Sequence, residues 1–159
     1  MDKEHPLWIV CDASGSMSEG GKHLIARGVA RATEQYFRLG YGSADLKLVM
    51  WSKEARVVEW IPDKEFPPEM LVCERAANAE ALITLLGEQP DGKVLFITDG
   101  FWSQDDAKAL KRWKEGIQQH TLRVIKIGAD ANPHLKGADV FAAEDLFAAL
   151  DGWLERGAT

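Results

Sequence analysis

The chain is poor in cysteine, in long apolar runs and in positive charge. Two cysteines in 159 residues, Cys11 and Cys73, exclude a disulfide-stapled scaffold. Cys11 lies inside an apolar run, where a reduced thiol packs as a small hydrophobe, so both are read as reduced core residues. No apolar run approaches the roughly 20 residues that a membrane-spanning helix needs. Lysine and arginine total 19 against 25 aspartates and glutamates, and the resulting net charge of -6 has the wrong sign for a nucleic-acid surface. Lys111, Arg112 and Lys114 do cluster, but Asp105, Asp106 and Glu115 flank them, as on a solvated helix face. His5, His23, His120 and His134 are scattered without the paired spacing of a zinc site. Residues 1–6 are charged and lack the apolar centre of a secretion signal. With the reduced cysteines, this makes a cytoplasmic location the expectation.

What is present is a regular alternation of apolar runs and helical patterns, in a chain long enough for a single domain over residues 1–159. Strands are expected at 7–11, 45–51, 55–61, 93–98, 121–127 and 138–142. Helices are expected at 20–39 (apolar face Leu24, Ile25, Val29, Ala32, Tyr36) and at 76–87 (Ala81, Leu82, Leu85, Leu86). Two more follow at 103–119 (Ala107, Leu110, Ile117 and the stem of Lys114) and 144–156 (Leu146, Phe147, Leu150, Trp153, Leu154). Ser52-Lys53-Glu54 is too short for a crossover helix, so 45–51 and 55–61 should form an antiparallel hairpin. The remaining connections suit right-handed crossovers. The expected fold class is therefore α/β: a three-layer, doubly wound, Rossmann-like domain. Its six-stranded sheet is mainly parallel with one antiparallel edge strand, and 7–11 lies centrally beside 93–98. Residues 62–68 read as one irregular loop, and 157–159 as a fraying end.

The chemistry concentrates at the ends of two of these strands. Leu7-Trp8-Ile9-Val10-Cys11 runs into Asp12-Ala13-Ser14-Gly15-Ser16, and Lys93-Val94-Leu95-Phe96-Ile97-Thr98 runs into Asp99-Gly100. In doubly wound sheets the ligand crevice lies beyond the strand carboxyl ends at the switch point, which would bring Asp12, Ser14, Ser16 and Asp99 together. Hard oxygen donors of this kind suit a hard divalent cation such as Mg²⁺. A helix-capping turn is the alternative for Asp12, Ser14 and Ser16, and a plain turn dipeptide for Asp99-Gly100. Gly15 to Lys22 misses a Walker phosphate loop because its lysine comes one residue late.

Asp12-x-Ser14-x-Ser16 after the first strand and Thr98-Asp99-Gly100 after the fourth resemble the metal-ion-dependent adhesion site of von Willebrand factor A domains, of the intracellular stand-alone type. The strand and helix order is similar over nearly the whole chain. The resemblance implies that Ser14 and Ser16 bind Mg²⁺ (Mn²⁺ as an alternative) through their hydroxyls, with Asp12 and Asp99 acting through coordinated waters. It also implies that a partner's Asp or Glu completes the shell, so the expected function is protein–protein interaction rather than catalysis. Intracellular members of the family often work beside AAA+ ATPases, kinases or proteases, which sets the expected class of partner. Phe101 and Trp102 follow Asp99-Gly100 and are expected on the rim as a partner anchor, the alternative being that one of them folds inward.

One family feature is missing. The threonine that the family places just before its third main helix falls near Ala76, at the start of the helix expected over 76–87; Ala76 has no ligand atom, and Asn78 and Glu74 are the neighbouring alternatives. That departure leaves room for a metal-free scaffold of the same fold. A haloacid-dehalogenase-like phosphatase also begins with a strand, an Asp and Mg²⁺. Here, however, its second acid is replaced by Ser14 and its late pair of acids is reduced to Asp99.

Overall fold

The computed structural model describes residues 6–40, 44–60, 66–68, 73 and 76–154. Six strands form one sheet in the order β3-β2-β1-β4-β5-β6. These are β1 (Pro6–Asp12), β2 (Asp45–Trp51), β3 (Ala55–Val58), β4 (Lys93–Thr98), β5 (Leu122–Lys126) and β6 (Val140–Ala142). Every neighbouring pair is parallel except β2 and β3, whose tight connection makes the expected antiparallel edge. Among the described residues four α-helices accompany the sheet: α1 (Lys22–Arg38), α2 (Ala79–Leu86), α3 (Gln104–Gly116) and α4 (Leu146–Leu150).

The sheet separates two apolar layers. On one face Leu7, Ile9, Leu95, Ile97 and Ile125 pack with α1 and α4. On the other Val10, Val49, Trp51, Phe96 and Val124 pack with α2 and α3. Alternating side chains along β1 supply both layers, which is why that strand is apolar at nearly every position. The chain winds outward from β1 to β2 and β3, then returns to place β4 on the other side of β1, with Cys11 opposite Ile97. That reversal opens the switch point between Asp12 and Asp99.

Several expectations need correction. The helix expected from 20 begins at Lys22, because Gly20 (φ 61°) and Gly21 (φ 73°) take left-handed conformations that break it from a 3-10 turn over Gly15–Gly21. Its buried stripe is Ala26, Val29, Ala30, Thr33, Tyr36 and Phe37, while Leu24 and Ile25 are 47% and 43% exposed. Leu24 lies on the opposite side of the helix from this stripe and Ile25 at its edge, so both face solvent. In α3, Trp113 and Leu110 are buried and Ala107 is exposed; the Trp113 indole donates to the Gly87 carbonyl at 2.9 Å. In α4, which stops at Leu150, Phe147 is exposed and stacks on Tyr36. β3 ends at Val58, earlier than expected. Most of the 62–68 loop, residues 1–5 and residues 157–159 lie outside the described residues.

Candidate functional site

β1 delivers Asp12 to the carboxyl end of the sheet, where it is almost wholly shielded from solvent. Its Oδ1 accepts the Ser14 backbone N–H at 2.8 Å, closing a turn that carries the two serines back over the acid. Oδ2 accepts the Thr98 hydroxyl at 2.6 Å and the Trp102 indole N–H at 3.3 Å. Burial raises the Asp12 pKa above the usual carboxylate range. The donors from Ser14 and Thr98 oppose that rise, and the nearby Asp99 charge adds to it. Ser14 and Ser16 bring their Oγ atoms within 3.4 Å of each other, the first buried and the second partly open to solvent. The turn is held by the Met17 N–H on the Ser14 carbonyl at 3.0 Å and by the Ser18 hydroxyl on the Gly15 carbonyl at 2.7 Å.

β4 delivers Asp99 alongside, fully buried. One oxygen accepts the Phe101 N–H at 3.1 Å; the other accepts from the Lys22 ammonium, also at 3.1 Å. Lys22 meets Asp130 at 3.3 Å as well. Burial works to lower the lysine's pKa, but Asp99 and Asp130 outweigh it and hold it above its ordinary value. The connection from β5 to β6 is stitched to the same place. The Asn132 N–H donates to the Asp99 carbonyl at 2.9 Å and its side chain donates to the Gly100 carbonyl at 3.0 Å. Gly100 takes a left-handed conformation (φ 77°), and a Cβ there would stand 2.8 Å from Leu135 Cδ2, so a side chain would strain the backbone and displace Leu135.

The four expected oxygen donors thus share one end of the β1–β4 pair. The aromatic pair divides: Phe101 is 43% exposed on the rim, whereas Trp102 folds inward to lie 6.0 Å from Trp51 and 5.7 Å from Phe96. Ala76 is exposed and offers no ligand, and Glu74 lies outside the described residues. Asn78 is engaged elsewhere, capping α2 by accepting from the Glu80 and Ala81 N–H groups at 3.1 and 3.4 Å.

In chemistry the set fits a hard divalent ion: two neighbouring hydroxyls with carboxylates behind them, all oxygen. In charge the fit is looser, because Lys22 already compensates Asp99. Among the described residues no group of three or more His, Cys, Asp or Glu side chains is placed to hold a metal.

Sequence reasoning quoted Thr98 within the Thr98-Asp99-Gly100 motif but gave it no role, and it missed Lys22, Asp130 and Asn132 as neighbours of the candidate residues. Lys22 alone carried a usable signal. It lies four, seven, eight and eleven residues before Ala26, Val29, Ala30 and Thr33, so it shares their buried stripe. A lysine in such a position requires a buried acidic partner.

No family model matches this sequence, and no curated protein matches it. Solved structures do share its fold. The manganese-loaded TRAP protein of Plasmodium vivax superposes with a TM-score of 0.57 at 13% identity, over 98% of this chain and 75% of that one. A von Willebrand factor type A protein from Catenulispora acidiphila gives 0.55 at 17%, over 95% of this chain and 41% of the other. Proximal thread matrix protein 1 of the mussel byssus gives 0.56 at 15%, over 94% and 47%. The chain therefore spans less than half the length of two of these three. At such identities the likeness establishes the α/β fold described above.

Proposed function

We propose that this chain is a non-catalytic protein-interaction module whose binding site is the crevice between the ends of β1 and β4. In this reading Ser14 and Ser16 hold a Mg²⁺ ion through their hydroxyls, with Asp12 and Asp99 behind them, and a partner's Asp or Glu enters above. What supports it is that Asp12, followed by Ser14 and Ser16, and Asp99 stand at the ends of two neighbouring parallel strands far apart in sequence. When bound, the ion supplies an electrophilic centre for the incoming carboxylate, because neutral hydroxyls leave much of its charge uncompensated.

The remaining work falls to the chain itself. Thr98, Trp102 and the Ser14 N–H fix the orientation of Asp12, so the floor of the crevice is set before a partner arrives. Phe101, 43% exposed beside the site, offers an aromatic side chain of the kind that contributes strongly once a partner buries it. Support also comes from the fold shared with von Willebrand factor A proteins and from the manganese-loaded state of the TRAP neighbour. Among the described residues no helix is long and apolar enough to cross a membrane. A cytoplasmic module serving an AAA+ ATPase, kinase or protease system is the setting we propose.

A metal-independent module of the same fold is the second reading, favoured by the Lys22–Asp99 pair. Thermal unfolding with Mg²⁺ or Mn²⁺ against chelator separates the two. At a hundredfold excess over Kd the ion should stabilise the fold by about 2.7 kcal/mol. The Ser14→Ala/Ser16→Ala variant should lose that response. A wild-type melting temperature indifferent to either ion rejects the metal-dependent reading.

A further inference from the structure

We propose that Lys22 is a resident counter-cation that competes with a divalent ion for the acidic half of the crevice and sets how tightly that ion binds. This rests on the metal-dependent reading above and concerns the regulation of the same site.

Lys22 is 2% exposed, although lysine normally extends its ammonium into water. It also begins α1, where the positive end of the helix dipole disfavours a cation. The position is accounted for by what surrounds it. Asp99 and Asp130 lie at 3.1 and 3.3 Å, and the Phe101 ring lies over the ammonium at 5.1 Å. The backbone makes room for the stem: a Cβ on Gly128 (φ 93°) would stand 2.9 Å from Lys22 Cε. Gly20 and Gly21 make the turn that delivers the side chain inward.

Asp99 is the second carboxylate of the candidate metal site, and both its oxygens already accept from the protein, one of them from this ammonium. A dication arriving at Ser14 and Ser16 meets a fixed positive charge on the acid that should help hold it. In a shielded crevice that repulsion is poorly screened. The same pairing keeps the acidic half assembled when no ion is bound. Lys22 therefore lowers metal affinity and removes the need for metal in folding.

The test uses the full chain and Mn²⁺ alone, with free Mn²⁺ counted by electron paramagnetic resonance. Lys22→Met and Lys22→Gln should bind Mn²⁺ about tenfold or more tighter than wild type, and Lys22→Arg should match wild type. In chelator, Lys22→Met should melt below wild type, and adding Asp99→Asn should recover part of the loss without metal. A neutral variant that folds only with Mn²⁺ supports the proposal equally; one that Mn²⁺ cannot rescue overturns it. Equal or weaker Mn²⁺ binding in the neutral variants overturns it while the metal-dependent reading stands. Absence of Mn²⁺ binding in wild type and every variant removes that reading and the competition with it.

Discussion

The Trp102 indole N–H donates to Asp12 Oδ2 at 3.3 Å, joining the β4 exit loop to the end of β1 across 90 positions of sequence. The same ring packs edge-on against Trp51, so Trp102 both buttresses the crevice and orients its floor. Trp102→Phe keeps most of the packing and loses one hydrogen bond, and should cost about 1 kcal/mol. Trp102→Ala also opens a void beside Trp51 and Phe96, and should cost about 3 kcal/mol. Urea denaturation measures both; equal losses would mean that the ring contributes nothing beyond its N–H.

Thr98 has no solvent exposure and serves two partners, donating to Asp12 at 2.6 Å and accepting from the Gly100 N–H at 3.0 Å. Thr98→Val preserves shape but leaves an acid oxygen and a backbone N–H short of partners, for an expected loss of about 2–4 kcal/mol. Thr98→Ser restores both bonds at the cost of a methyl group and should stay within about 1 kcal/mol of wild type. If valine proves as stable as serine in denaturant melts, the hydroxyl does not organise the site.

Burial, reinforced by the charges of Asp12 and Asp99, raises the Cys73 thiol from 9.0 to about 11. The folded chain therefore keeps this proton longer than the unfolded chain does. Its contribution to stability is complete below the unfolded value and declines as pH rises towards the folded one. Iodoacetamide labelling of Cys73, followed by peptide mass spectrometry, should keep accelerating with pH through 9 and 10 in the native protein. In urea it should level off near 9. A native rate that also levels off near 9 would show that the thiol does not feel the crevice. Cys11, pushed to about 12 in the core, should label only after unfolding.

Where sequence reading succeeded, local rules were enough. The three residues between β2 and β3 cannot form a crossover, so the antiparallel edge followed from chain length alone. Ser103 opens the segment expected as a helix over 103–119, and its hydroxyl accepts the Asp106 N–H at 3.1 Å to cap α3. Where reading failed, the outcome depended on which neighbour a helix met. Leu24 and Ile25 fit a helical stripe on paper, but the stripe that meets the sheet runs through Ala26, Val29, Ala30 and Thr33.

By itself the sequence determined the alternation of strands and helices, the antiparallel edge and the two carboxylates at strand ends. Each is set by residues close in the chain, through side-chain period or connection length. Only the tertiary structure decided that Trp102 turns inward while Phe101 stays on the rim. It also decided that a lysine is buried against Asp99. The partner that makes this burial tolerable, Asp99, lies 77 residues away, and a charge can leave water only once that partner is in place.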